Sequence, residues 1–123
     1  LQNQVSLIGP VDRESVKDYY STSNLMILPS ISEGLARVIF ESQVAMCPVL
    51  VTDAPGMSDI VIDGQTGYVF KSNNLDSLSL KIEYIKNNYD EASLVAKNAK
   101  GFILSNYSED NFKFSFKKLF DTV

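Results

Sequence analysis

Short apolar runs alternate with stretches of helical periodicity over the first seventy residues. Four runs, each closed by turn residues, predict buried strands at residues 5–8, 25–28, 48–52 and 68–70. Helices are predicted between them, from about 13 to 21 and from about 34 to 46. The runs lack the alternation of a half-exposed sheet, so they indicate a parallel α/β sheet covered by helices on both faces.

From residue 75 the pattern is helical to the end of the chain. Apolar residues recur at helical spacing in three groups: Leu75, Leu78, Ile82 and Ile85; Leu94, Ala96, Ala99 and Phe102; Phe112, Phe116, Leu119 and Phe120. The final helices are therefore placed at about 75–121. No repeat, low-complexity tract or internal boundary divides the chain, which is predicted to form one unit over 1–123.

Composition narrows the function classes. Hydrophobic content of 45% and charged content of 21% are typical of a globular domain. No Lys/Arg-rich run interrupts the first hundred residues, so no nucleic-acid partner is predicted. The chain has no histidine, which excludes His-based triads and His-containing metal sites within it. Its single cysteine, Cys47, lies in an apolar run and is interpreted as a buried structural thiol.

Two glutamates eight residues apart, Glu33 and Glu41, lie at the start of the second predicted helix and about two turns into it. With Arg37 between them they lie on one side of the helix, with the glutamates roughly 12 Å apart along its axis. The first amides of this helix, at Gly34, Leu35 and Ala36, would suit an anion such as a diphosphate. The same three charged residues equally describe a solvated i, i+4, i+8 ladder with no ligand. Spacing alone leaves both interpretations open.

The sequence around the glutamates resembles a family signature. Residues 28–42 resemble the Pro-Ser…Glu-Gly…Glu-Ala signature of family 4 retaining glycosyltransferases, which have the two-lobed GT-B architecture. Residues 48–53, 56–61 and 63–69 are similar to the family's Pro-Val-Val-Ala-Thr, Gly-Gly-x-x-Glu-Ile-Val and Asp-Gly-x-Thr-Gly segments, in that order. Upstream, residues 5–9 and 24–28 resemble two of its strands. The resemblance covers almost the whole chain.

The resemblance implies a Rossmann-like parallel sheet of about four short strands, part of the C-terminal, donor-binding lobe of a GT-B enzyme. It implies that Glu33 is the catalytic residue at the donor sugar and that Glu41 binds the ribose hydroxyls. The amides of Gly34, Leu35 and Ala36 would hold the sugar or diphosphate. The implied reaction is transfer of a sugar from a nucleotide-diphosphate sugar to an acceptor hydroxyl with retention, without a cofactor or metal.

The resemblance also implies what lies outside this sequence. The family's Arg and Lys that grip the diphosphate, and its acceptor lobe, would precede residue 1, so the chain is expected to be truncated and inactive alone. The implied partners are the nucleotide-sugar donor and a carbohydrate or lipid-linked acceptor that the N-terminal lobe would bind. The expected role is polysaccharide or glycoconjugate synthesis in the cytoplasm, peripheral at the inner face of the membrane in the full-length protein.

Three positions depart from the family pattern. Asp59 stands where glutamate is usual, Pro55 replaces the first glycine of a pair, and Met46 replaces a glycine that commonly ends the second helix. The family's strand order, 3-2-1-4-5-6, would make residues 5–8 strand 3, separated from the rest by two strands outside this sequence. Residues 5–8 are therefore predicted to re-pair, to pair with another copy by self-association, or to be poorly ordered.

Two other functions remain open at this point. One is a nucleotide-sugar-binding or regulatory module without turnover. The other is a different Rossmann-like enzyme such as an epimerase, against which the absence of histidine argues. The glycine-rich dinucleotide fingerprint is also missing, which disfavours NAD chemistry.

Overall fold

A parallel sheet organises the part of the chain that the computed structural model describes, residues 3–31, 37–57 and 59–106. Its strands in the described ranges are β1 (Met26–Leu28), β2 (Val49–Thr52) and β3 (Tyr68–Phe70), in the order β1-β2-β3. Ile27 pairs with Leu50 across the first interface, and Leu50 with Tyr68 across the second. All four residues of β2 are buried, as expected for a central strand covered on both faces.

Four helices occupy the described ranges: α1 (Arg13–Thr22), α2 (Arg37–Val44), α3 (Leu75–Asn87) and α4 (Tyr89–Asn106). The Asp12 side chain caps α1 by accepting from the Ser15 amide at 2.8 Å, and Asn74 caps α3 by accepting from the Ser77 amide at 2.9 Å. The helix predicted beyond residue 106 lies outside the described residues.

The two faces of the sheet carry separate cores. Val49 and Val51 point to one face, where they pack with Ile39 of α2, and Leu50 points to the other, where it packs with Ile85 of α3 and Val95 of α4. This follows from the alternation of side chains along a strand. Cys47 is buried between α2 and β2, and this burial raises the pKa of its thiol. The prediction of helices on both faces of a parallel sheet is thus confirmed.

The strand predicted at residues 5–8 is wrong for this structure. These residues form neither helix nor strand, and the side chains of Val5 and Leu7 are 63% and 98% exposed. A strand needs a hydrogen-bonding neighbour, and β2 is the strand that pairs with β1 in the described residues. The described sheet accordingly has three strands, and residues 5–8 do not re-pair with it. Pairing of residues 5–8 with another copy stays a prediction.

The turn over residues 63–67 connects the sheet to α2. Gly64 has a φ of 76°, and its amide donates to the Gly67 carbonyl at 2.8 Å. On the helix side, the buried Gln43 donates from Nε2 to the Thr66 carbonyl at 2.9 Å. This bond fixes one end of α2 against the sheet, and α2 is the helix that carries Glu41.

The C-terminus of α2 is a Schellman motif with methionine in the position that favours glycine. The Met46 amide donates to the Gln43 carbonyl and the Cys47 amide to the Ser42 carbonyl, both at 3.0 Å. Met46 itself has a φ of 59°. The side chain is half exposed, so no deep packing compensates the left-handed backbone. The departure from the family pattern at this position therefore has a conformational cost.

Met46→Gly should raise the free energy of unfolding by about 0.5–1 kcal/mol. A non-glycine residue in the left-handed region costs roughly 1–2 kcal/mol, of which the greater freedom of glycine in the unfolded chain cancels about 0.4–1 kcal/mol. Urea unfolding followed by circular dichroism measures the change. Asn73→Gly is the matched control, since Asn73 has a φ of 54° but asparagine tolerates this region, so its gain should be smaller. A destabilised Met46→Gly chain would contradict the prediction.

Candidate functional site

The carboxyl end of β1 leads into the predicted donor site. Here the Thr52 hydroxyl of β2 donates to the Ser30 carbonyl at 2.5 Å, which holds the loop after β1 against the sheet. Ligands of open α/β sheets bind at this edge. Four predicted site residues, Glu33, Gly34, Leu35 and Ala36, lie outside the described residues, so their roles stay predictions. Of the predicted site residues, the structure describes Glu41.

Glu41 lies on α2 with a side chain that is 39% exposed. Among the described residues, each carboxylate oxygen has one recorded partner. The Arg37 Nη2 atom is 3.9 Å from Oε1, and the Tyr20 hydroxyl donates to Oε2 at 3.4 Å. The Arg37 contact is the i, i+4 pair of the predicted charge ladder, and such an exposed pair contributes only a few tenths of a kcal/mol. The Tyr20 contact joins α1 to α2 and is not part of the ladder.

Glu41 also lines a cavity of about 830 Å³ between α1, α2 and the end of α4. This volume is in the range of small-molecule sites. Its polar wall consists largely of α1 residues, and its apolar wall comes from α2 and α4. The lining residues are Arg13, Glu14, Lys17, Tyr20, Ser21, Arg37, Phe40, Glu41, Val44, Ala45, Ile103 and Leu104.

Sequence reasoning missed Tyr20 as a site residue. By helical spacing, Tyr20 falls with Val16 and Tyr19 on the apolar stripe of α1. Periodicity does not distinguish a ring that only packs from one whose hydroxyl also donates a hydrogen bond. Burial, and then the Glu41 carboxylate, raise the pKa of Tyr20. The phenol therefore stays protonated at neutral pH and remains a hydrogen-bond donor. Only the pairing of α1 with α2 shows that this donor reaches Glu41.

Two kinds of feature are absent from the described ranges. No group of three or more Cys, Asp or Glu side chains there is arranged to hold a metal ion. None of the described helices is long and apolar enough to cross a membrane. Metal-independent transfer and a cytoplasmic location stay predictions.

The fold has close relatives among solved structures. The Anabaena protein HepE, crystallised with UDP and glucose, superposes with a TM-score of 0.88 at 18% identity, over 100% of this chain and 33% of that one. Sucrose-phosphate synthase from Thermosynechococcus elongatus gives 0.87 at 22% identity, over 98% of this chain and 30% of that one. At these identities the likeness shows the fold, a partial Rossmann-like lobe of GT-B architecture.

Sequence comparison identifies the family. An uncharacterised glycosyltransferase of Methanocaldococcus jannaschii is 30% identical over 100 residues, which are 81% of this chain and 28% of that protein. The capsular polysaccharide biosynthesis glycosyltransferase CapM of Staphylococcus aureus is 26% identical over 73% of this chain and 24% of its own length. The chain thus spans less than a third of these relatives. The family profile of glycosyl transferases group 1 matches residues 1–117, and the chain belongs to that family.

Proposed function

We propose that the intact protein is a retaining glycosyltransferase and that this chain is its donor-binding lobe. The reaction would transfer a sugar from a nucleotide-diphosphate sugar to an acceptor hydroxyl. The observation that carries the proposal is the placement of Glu41, the second glutamate of the signature, on the wall of a ligand-sized cavity. Membership of a glycosyltransferase family supports transfer over the epimerase alternative.

The chemistry needs two things from this lobe. The donor must be held by its nucleotide, for which the two oxygens of Glu41 suit the ribose hydroxyls. The negative charge that develops on the leaving diphosphate must be stabilised, for which the amides of Gly34, Leu35 and Ala36, predicted from the sequence to open the second helix, would be suited. Glu33 would contact the sugar at the reacting carbon. No metal or cofactor is required by this division of roles.

Two of the relatives support a nucleotide-sugar donor and a role in polysaccharide synthesis. HepE was crystallised with UDP and glucose and with UDP-glucose, and CapM acts in capsular polysaccharide biosynthesis. We therefore propose a role in polysaccharide or glycoconjugate synthesis. The cytoplasmic location is proposed from the family resemblance alone. The acceptor, a carbohydrate or lipid-linked sugar, would bind to a second lobe, and the chain by itself would not complete a catalytic cycle.

A donor screen on the intact protein tests the proposal. UDP-, GDP- and ADP-sugars are offered with a panel of carbohydrate and lipid-linked acceptors, and the product linkage is assigned by nuclear magnetic resonance. We expect one donor class to be used with retention, and Glu33→Ala to lower kcat by about 10²–10³-fold, the range for losing one transition-state contact. Donor affinity should change much less, because the role proposed for Glu33 is at the reacting carbon.

Three results would contradict parts of the proposal. Inversion at the anomeric carbon would overturn retention. Tight donor binding without transfer to any acceptor would favour a non-catalytic nucleotide-sugar-binding module. Unchanged turnover in Glu33→Ala would remove the catalytic role of Glu33. The control is Glu83→Ala, since Glu83 is an exposed glutamate of α3 that does not line the cavity.

A further inference from the structure

Within the described residues, the two oxygens of the Glu41 carboxylate are approached by side chains of two different helices. Arg37, one turn earlier on α2, approaches Oε1 at 3.9 Å, and the Tyr20 hydroxyl of α1 donates to Oε2 at 3.4 Å. A carboxylate has about four acceptor sites, two on each oxygen. These two contacts within the described residues use one site on each oxygen, and Glu41 is among the residues that line the cavity.

Two adjacent acceptor sites match two adjacent hydroxyl groups. A vicinal diol, such as that of a ribose ring, can donate one hydrogen bond to each oxygen of the same carboxylate. Such a paired contact depends on the plane of the carboxylate, because a rotation about the last side-chain bond removes one of the two bonds. That terminal torsion is soft in a glutamate, so the plane must be fixed by neighbours rather than by rotamer preference.

Tyr20 is the neighbour suited to fix this plane. It comes from a different helix, 21 residues earlier in the sequence, so its position does not follow the rotation of the Glu41 side chain. Its ring is half-buried, and the raised pKa of the phenol keeps the donor proton at neutral pH. By contrast, the Arg37 side chain is 49% exposed and belongs to the same helix as Glu41, so it restrains the carboxylate weakly.

We propose that Tyr20 is a positioning residue that orients the Glu41 carboxylate to accept both hydroxyls of the ribose diol of a bound nucleoside diphosphate. The proposal rests on the proposed function, since it takes Glu41 as the ribose-binding residue. The distance of 3.4 Å is long for an O–H···O bond, and such contacts in ligand-free sites commonly shorten when the ligand binds. The bond therefore acts mainly in the complex, and its loss should weaken ribose recognition rather than folding.

The test compares nucleotides that differ by one hydroxyl. Binding of UDP and 2′-deoxy-UDP, and of GDP and 2′-deoxy-GDP, is measured by calorimetry on the intact protein as wild type, Tyr20→Phe and Glu41→Ala. We expect Tyr20→Phe to reduce the preference for the ribonucleotide by about three- to tenfold, the effect of weakening one hydrogen bond to a charged group. Affinity for the deoxynucleotide should stay unchanged, and Glu41→Ala should abolish the preference.

Tyr19→Phe is the matched control. Tyr19 precedes Tyr20 on α1, its side chain is exposed, and it does not line the cavity. The same hydroxyl is removed there, so the ribonucleotide preference and the thermal midpoint should both match wild type.

The outcomes separate the two proposals. An unchanged preference in Tyr20→Phe, together with a lost preference in Glu41→Ala, would overturn the role of Tyr20 and leave the proposed function intact. Equal weakening of ribo- and deoxynucleotides in Tyr20→Phe would show a general structural role and also overturn it. A preference that survives in Glu41→Ala, or no nucleotide binding by the wild type, would overturn the donor-site assignment of Glu41 and the role of Tyr20 with it.

Discussion

Gly67→Ala should destabilise the chain by about 2–3 kcal/mol, a large part of the total stability of an ordinary domain. Gly67 ends the turn that leads into β3, directly beside the core. A Cβ atom at this position would lie 2.5 Å from Val49 Cγ2, 2.7 Å from Val61 Cγ1 and 3.2 Å from the Val49 carbonyl oxygen. Both valines are about 1% exposed, so neither can move aside into solvent. The backbone would have to shift, which would strain the core that Val49 and Val61 form with Ile39.

The same substitution elsewhere serves as its control. Gly101 lies inside α4, and a Cβ atom there would meet no atom of the described residues within 4 Å, apart from its own stretch of helix backbone. Gly101→Ala should therefore stabilise the chain by about 0.5–1 kcal/mol through helix propensity. Urea unfolding followed by circular dichroism measures both variants. If contact at Gly67 is the cause, the free energy of unfolding falls in Gly67→Ala and rises in Gly101→Ala.

A double-mutant cycle checks the mechanism. Val49→Ala removes the methyl group nearest to the new Cβ, so Gly67→Ala should cost less in that background than in wild type. A coupling of about 1 kcal/mol or more is expected for groups in contact. Additive effects would show that overlap with the Val49 side chain is not the cause of the cost of Gly67→Ala.

Glu41→Ala should weaken donor binding by about 10- to 100-fold, on the proposal that its carboxylate binds the ribose. Removing a charged acceptor of hydrogen bonds costs roughly 1.5–3 kcal/mol. The loss should appear in KM and in Kd for the nucleoside diphosphate more than in kcat, since the ribose is remote from the reacting carbon. Steady-state kinetics and calorimetry on the intact protein measure the two quantities.

The control again uses Glu83→Ala, which makes the same change of charge at an exposed position of α3. Its donor affinity should equal that of wild type. If Glu41→Ala and Glu33→Ala also behave like wild type, the two glutamates and Arg37 return to the alternative interpretation, a solvated ladder of charges on a helix surface. The 3.9 Å contact between Arg37 and Glu41 is compatible with that ladder by itself.

Helices and strands that depend only on the pattern within one segment were predictable from the sequence. The apolar run of β2, the cap at Asp12 and the periodicity of α3 and α4 each reflect a requirement within one segment. Residues 5–8 show the limit of this reasoning. Their apolar run is typical of a strand, but a strand forms only where another strand offers its backbone, and no local pattern reports that neighbour.

Only part of the candidate site was predictable, because local patterns do not report contacts between segments. Glu41 was identified from its spacing to Glu33 together with the family resemblance, and both are visible within one helix. The Tyr20 contact depends on how α1 packs against α2, and 21 residues separate the two side chains. Met46 was predictable in part. The sequence showed methionine where the family has glycine, but only the structure shows that this residue has a left-handed backbone, which makes the methionine costly.

The burial of Cys47 turns the junction between α2 and β2 into a built-in reporter. It is the one cysteine of the chain, and its thiol reaches solvent only when this junction opens. The rate at which a thiol reagent labels Cys47 therefore reports how often the junction between α2 and β2 opens. Glu41 lies on α2, beside this junction. A bound nucleotide that restrains α2 would slow this labelling. The labelling rate of Cys47 would then measure occupancy of the site without an engineered probe.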